Sequence, residues 1–441
     1  MKGKKLSLVT RLSILQQGEY EWNHYQDWIN SHPTWVEEIT PKKWTVKLQL
    51  LSFFATVFSP LIGVDHSLQL GLVVLSLPQV LITSVTLFAA IVKLRIFQAR
   101  GLQVIAIAGS YGKTSTKEIL QHVVSAQYKS HKTPGNINRS LGIAREILQK
   151  LQGDHQYFFV ELGEYNRGEI RQMVKMLRPC TVVITPITIA HLERFESLDE
   201  ITEELFDAVR FSHAHAIIAK ENEKNLPADL QTKKDISWYG EDDISQVEIS
   251  RAGTEYVYSK KEQEISCFIP LYGKHNAVNT LPALIFGESI GISDDKLKQA
   301  LSTLPFVPHR LEPTLLEQQI LLLDNGYNSN PQSAVQALSV LRSLEGSQKI
   351  VTTPGFVELG AVQEKENTLL GERIAKVADM AVVIESVNHD ALIRGLQKGG
   401  MKQSNIISAA TEEDGMNKLQ GKLKPSAIIL FENSIPQLYR K

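Results

Sequence analysis

The stretch VIAIAGSYGKTSTKEIL, residues 104–120, constrains this chain more than any other. An apolar run of strand length enters a glycine-containing turn, and a helix opens at Gly112-Lys113-Thr114-Ser115. Backbone N–H groups at such a helix start bind phosphate, a lysine there adds a point charge for the β and γ phosphates, and a neighbouring hydroxyl can hold Mg²⁺. The spacing departs from G-x-x-x-x-G-K, because Ile107 stands where the first glycine would be and the form is the shorter Gly109-Ser110-Tyr111-Gly112-Lys113-Thr114. A glycine turn with an incidental lysine is the competing reading, and the strand before and helix after count against it.

The rest of the chain after Arg100 repeats this alternation. STKEILQHVVSAQ, YFFVELG, GEIRQMVKML and TVVITPI read as helix, strand, helix and strand, which predicts a parallel sheet covered on both faces. QVEISRAG, EYVYSK and QEISCFI read as short antiparallel strands, and a helical pattern runs from His275 to Gly291. The pattern breaks around Pro305 to Pro313, and a second α/β series follows in QQILLLDNGYN, KIVTTPG, DMAVVIES and SAIILFEN. The expected fold class is therefore α/β: a P-loop central domain with a mostly parallel sheet over 100–309, then a Rossmann-like domain over 310–441.

Residues 1–99 differ in kind. From Leu48 to Val92 the only acidic residue is Asp65, beside His66, so the stretch predicts a transmembrane hairpin with spans at about 48–64 and 67–92. Lys42, Lys43 and Lys47 precede it and Lys93, Arg95 and Arg100 follow it, which places both ends, and the catalytic domains, on the cytoplasmic side. A pair of buried helices in a soluble domain is the alternative. Trp22, Trp28, Trp35 and Trp44 lie in the preceding segment, where RLSILQQGEYEWNHYQDWI reads equally as an amphipathic helix on headgroups or as ordinary core. With 47 Lys+Arg against 48 Asp+Glu there is no global field to attract nucleic acid, and Cys180 and Cys267 form no metal-binding pair.

Several further motifs, in order, resemble the Mur ligase family, most closely its branch that adds D-alanyl-D-alanine to a muramoyl tripeptide. They are TPGNINRSLG (133–142), VELGEYNRGEI (160–170), ITPITIAHLERFESLDEI (184–201), GKHNAVNTLPAL (273–284), VPHRLE (307–312) and DNGYNSNPQS (324–333). The resemblance implies an ATP- and Mg²⁺-dependent amide ligase: a carboxylate attacks the γ-phosphate, and an amine then displaces phosphate from the acyl phosphate. It implies Lys113, His191 and Arg310 as catalytic residues, with Thr114, Ser115, Glu161 and His191 around the metal. Gly109, Ser110, Gly112 and Asn136 would lie near the phosphates, His275, Asn276 and Asn279 near the purine, and Asp324 at the ribose. By themselves, His191 also reads as a structural histidine, Asn136 as turn chemistry and Asn276 as a helix cap. The junction at Pro308 to Arg310 is the implied hinge.

Three departures stand beside the resemblance. The family's UDP-recognising first domain is replaced by the apolar segment, which admits a lipid-linked cell-wall precursor and membrane lipids as partners. A lysine that many members carry in carbamylated form is missing near Leu205, and Glu204, then Glu203, are the nearest carboxylates; both also read as acids favoured by the helix dipole in a first turn. Glu432, in LFENSIP, stands where the family tends to have a cation. A same-fold ligase for another acid and amino acid, and a non-catalytic nucleotide-binding membrane scaffold, are the other two readings. Lys113, Glu161, His191 and Arg310 favour catalysis over the scaffold.

Overall fold

A computed structural model describes residues 50, 64–135, 137–188, 197–212, 214–233, 235–260, 263–326, 329–357 and 359–434. Two compact units, Met1–Ala90 and Ile91–Lys441, divide the chain. Both large sheets belong to the second.

The first sheet is six-stranded and parallel throughout, in the spatial order β2-β3-β1-β4-β5-β6. Its strands are β1 (Gln103–Ala108), β2 (Ser130–Lys132), β3 (Tyr157–Glu161), β4 (Thr181–Ile184), β5 (His215–Ala219) and β6 (Ile236–Tyr239). Central β1 is buried from Val104 to Ala108, as a strand covered on both faces must be. The chain builds β2 and β3 on one side of β1 and β4 to β6 on the other, so a crevice opens at the carboxyl end of β1. There the helix Lys113–Ser125 begins; Ile119, Leu120, Val123 and Val124 bury its apolar stripe against Leu281 and Leu284 of the helix Lys274–Ser289. The expected short strands form an antiparallel sheet, β7 (Ile244–Ser250), β8 (Gly253–Lys260) and β9 (Gln263–Ile269).

The second large sheet has the order β10-β11-β15-β12-β13-β14. Edge strand β10 (Glu312–Leu315) is antiparallel to β11 (Leu321–Asn325), and the remaining pairs, among β12 (Lys349–Thr353), β13 (Met380–Ile384), β14 (Ile406–Ala409) and β15 (Ile428–Glu432), are parallel. The α/β expectation holds for both series.

The N-terminal expectation changes. Instead of a hairpin turned at Asp65-His66, the structure has one helix, Val64–Ala99, with both residues in its first turn; the first expected span lies outside the described residues except for Leu50 and Val64. Among the described residues only Leu81–Ala99 is long and apolar enough to cross a membrane, a test that a core helix also passes. Its cations have protein partners. Lys93 donates to Leu148 O (2.9 Å), Arg95 to Lys175 O (3.0 Å) and Met176 O (2.9 Å), and Gln98 to Leu177 O (2.8 Å). Those carbonyls end the helices Ser140–Gln149 and Glu169–Leu177, where acceptors lack intrahelical donors and positive charge is favourable. The lysine and arginine read as cytoplasmic flanks of a membrane span are helix caps.

Glu204 is likewise neither a metal ligand nor a solvated acid. It is buried on the helix Leu198–Arg210, and its carboxylate accepts from Gly168 N (2.7 Å) and Ile170 N (2.9 Å), capping the start of Glu169–Leu177. Glu203 pairs with Arg210 at 2.8 Å. Replacing Glu204 by alanine should therefore cost about 1–2 kcal/mol in urea unfolding, while Glu203→Ala should stay within about 0.5 kcal/mol. Equal effects of the two substitutions would contradict the capping role.

Candidate functional site

The turn after β1 is shaped by contacts with the end of β4. Gly109 has φ +135°, and a Cβ there would lie 2.1 Å from Thr185 Oγ1, so no side chain fits. Thr185 Oγ1 donates to Tyr111 O (2.6 Å), and Ser110 Oγ donates to Thr188 O (3.0 Å) and accepts from Thr188 N (3.1 Å). Gly112, at φ +80°, sits under Asn279, whose Oδ1 would be 3.0 Å from an added Cβ. The turn is thereby held open for a ligand at the N-terminus of the next helix.

One cleft gathers most of the expected residues. Ser110, Gly112, Lys113, Thr114, Ser115, Glu161, His275, Asn276, Asn279 and Arg310 all line it. Gly109 lies beneath the turn rather than on the wall. His191 and Asn136 fall outside the described residues. Asp324 does not line this cleft: its carboxylate is engaged by His309 Nδ1 (2.7 Å) and Gly326 N (2.8 Å). An adjoining cavity shares Tyr111, His275, Asn279 and Gln336 with the cleft, so the space extends from the phosphate turn past the helix Lys274–Ser289. Burial drags the His275 imidazole down to about 4, which keeps it neutral near pH 7.

The polar groups of the cleft form one network. Glu161, buried at the end of β3, accepts from Thr114 Oγ1 (2.9 Å) and Asn138 Nδ2 (3.2 Å), with Lys117 Nζ 3.5 Å away. Lys117 is fully buried and donates to Gly135 O (2.6 Å). Lys113 Nζ donates to Gly109 O and, at 3.0 Å, to both oxygens of buried Glu164. Sequence reasoning missed Lys117, Asn138 and Glu164. Lys117 carried a signal, since it follows Thr114 by three residues and Lys113 by four and so shares their helix face. Hydroxyl and carboxylate oxygens from Thr114 and Glu161 make a hard donor set that suits Mg²⁺.

Across the cleft, the carboxyl ends of the second sheet supply Asn325 and Ser329. Both bond to Glu432, Asn325 Nδ2 at 2.9 Å and Ser329 Oγ as a second donor. Asn433 adds a strut, accepting from Ser329 N (2.9 Å) and donating to Gly355 O (2.7 Å).

The comparisons follow this geometry. Residues 107–287 match the Mur ligase middle domain. The middle of this chain is therefore similar to the central domain of Mur ligases. The UDP-N-acetylmuramoyl-tripeptide–D-alanyl-D-alanine ligase of Escherichia coli K12 is 29% identical over 348 residues, covering 76% of this chain and 73% of the relative. MurF from Acinetobacter baumannii superposes with a TM-score of 0.67 at 25% identity, covering 78% of this chain and 76% of that one. MurF from Thermotoga maritima, solved with ADP, gives 0.69 at 22% identity over 80% of each chain, a likeness of fold. These relatives also overturn the expected membrane location, and nothing in them supports the lipid-linked acceptor or the lipid partners. The substrate in the Escherichia coli relative's name is nucleotide-linked rather than lipid-linked, and the one apolar helix among the described residues, whose cations cap neighbouring helices, does not show a membrane protein.

Glu432 gives this protein a defined pH response. Burial, the largest influence, outweighs the Ser329 and Asn325 hydrogen bonds and the positive field of Arg310, and lifts the carboxyl to about 7. A carboxyl raised in the folded state favours folding while protonated, so its contribution is lost as pH rises from about 4.5 to about 7. Glu432→Gln should match the parent near pH 4.5 and exceed it by roughly 3 kcal/mol at pH 8. Thermal melts across that range check this; a constant gap between the two proteins would contradict it.

Proposed function

We propose that this protein is a Mur ligase that joins D-alanyl-D-alanine to a UDP-N-acetylmuramoyl tripeptide, as the matched relatives' name describes, in an ATP-dependent reaction that releases ADP and phosphate. The observation that supports it most is the placing of Lys113 and Thr114, at the phosphate turn, and Arg310, from the junction of the two sheets, on the walls of one cleft. The acceptor carboxylate attacks the γ-phosphate to give an acyl phosphate and ADP, and the dipeptide amine then displaces phosphate to form the amide. Lys113 and Arg310 offset charge on the transferring phosphoryl group, and the Gly109 to Ser115 N–H groups cradle the nucleotide phosphates with Asn136 nearby.

Thr114, Ser115, Glu161 and His191 would hold Mg²⁺, which when bound neutralises phosphate charge. His275, Asn276 and Asn279 flank the space that leads to the adjoining cavity, which suits a purine; neutral His275 can stack or accept there. Asp324, the acid expected at the ribose, would have to exchange His309 for the sugar hydroxyls. The reading divides the chain at residues 99 and 309, with catalysis shared between 100–309 and 310–441.

Phosphate release by the full chain, given ATP, Mg²⁺, UDP-N-acetylmuramoyl tripeptide and D-alanyl-D-alanine, tests this reading, with omission of either acceptor as the control. Lys113→Ala should lower turnover at least about a hundredfold with an unchanged circular dichroism spectrum. Equal turnover in Lys113→Ala, or release that ignores both acceptors, would overturn the reading.

A further inference from the structure

Glu164 poses a charge problem in the cleft. Its side chain is 3% exposed, and Lys113, 3.0 Å from both of its oxygens, is the cation that balances it. Among the described residues its other charged neighbour is Glu161, whose like charge works against it. Lys117 cannot relieve the pair, because its ammonium is already shared between Glu161 and Gly135 O. Arg139 lies over the Tyr165 ring at 3.8 Å.

A polyphosphate bound at the turn draws on the charge of Lys113, since Lys113 opens the helix whose N-terminus faces the cleft. Glu164 is then a buried carboxylate facing Glu161 and several phosphate oxygens. A buried charge stripped of its partner is strongly destabilising, and two adjacent carboxylates beside a polyanion need a cation between them. The same wall presents Thr114 Oγ1 and Glu161, oxygen donors of the kind that hold hard divalent ions.

We propose that Glu164 exchanges partners when nucleotide binds, giving up Lys113 to the phosphates and becoming a carboxylate ligand, directly or through one water, of the divalent cation held with Glu161. This rests on the nucleotide-binding part of the function proposed above. It makes Glu164 a brake on metal-free nucleotide binding and a support for metal-dependent binding.

The two effects have opposite signs, which makes them measurable in the full chain. Fluorescent ADP binding is titrated without metal, and Mn²⁺ binding to the ADP complex is followed by electron paramagnetic resonance, for the parent, Glu164→Gln and Glu164→Asp. In Glu164→Gln, metal-free ADP binding should be several-fold tighter than in the parent, and Mn²⁺ should bind about tenfold more weakly or worse; metal-free binding no tighter than the parent's overturns the brake. Glu164→Asp keeps the charge on a shorter arm and should lose several-fold in Mn²⁺ affinity; it serves as the test if thermal melts show the glutamine variant unfolded. Mn²⁺ affinity unmoved in the folded variants, while the parent binds ADP, overturns this inference alone. A parent that binds no ADP at any Mn²⁺ concentration overturns both it and the nucleotide reading.

Discussion

The site depends on one buried carboxylate. Glu161 ends β3 directly beside Ile107 of β1, in parallel register, so the strand pairing itself delivers the carboxylate to the foot of the phosphate turn. Thr114, Asn138 and Lys117 converge on it from the helix after that turn and from the loop after β2. A buried carboxylate is tolerated when donors and a cation satisfy it, so these segments hold one another in place. Lys117 extends the network to Gly135, and Thr133 Oγ1 accepts from Glu161 N at 3.4 Å. Disturbing any member shifts a wall of the cleft, and for that reason the polar network, more than the apolar core behind it, fixes the geometry of the site.

The fold was legible where hydrophobic period and turn chemistry agreed. β1, β3 and β4 are continuous apolar runs, and the three antiparallel strands alternate, so each announced its type. The phosphate turn was legible because its glycines are required by close approach, as Gly109 against Thr185 shows. β2 was not: Ser130-His131-Lys132 has no apolar residue and forms at the sheet edge by pairing with β3. β10 is equally weak, with Pro313 on the edge of the second sheet, where a missing N–H is tolerated. The N-terminal helix misled because composition cannot tell an apolar surface turned to lipid from one carried on a helix whose cations cap other helices.

In the site, residues brought in by the main chain were readable and residues brought in by tertiary pairing were not. Lys113, Thr114 and Glu161 follow from a turn or a strand end. Glu164 and Glu204 are both glutamates in polar surroundings, and sequence offers no way to know that one meets a lysine and the other a helix N-terminus 36 residues away. Asp324 shows the converse: it ends an apolar strand as expected, yet in this conformation its carboxylate is taken by His309.

The two sheets solve the same problem by different means. Each brings a buried glutamate to its carboxyl edge, but Glu161 is balanced by a lysine at 3.5 Å, whereas Glu432 is held by an amide and a hydroxyl, with Arg310 acting on it as a charge. Neutral donors compensate a buried anion less completely, so Glu432 sits near its neutral form while Glu161 has a cation beside it. Arg310 acts on the second of these edges, the one that charges only as the pH rises. His309 and Leu311 on either side of it hold φ of 58° and 54°, conformations that cost about 1 kcal/mol or more apiece. Between these two strained residues Arg310 lines the cleft, on the side to which the second sheet also brings Asn325 and Ser329.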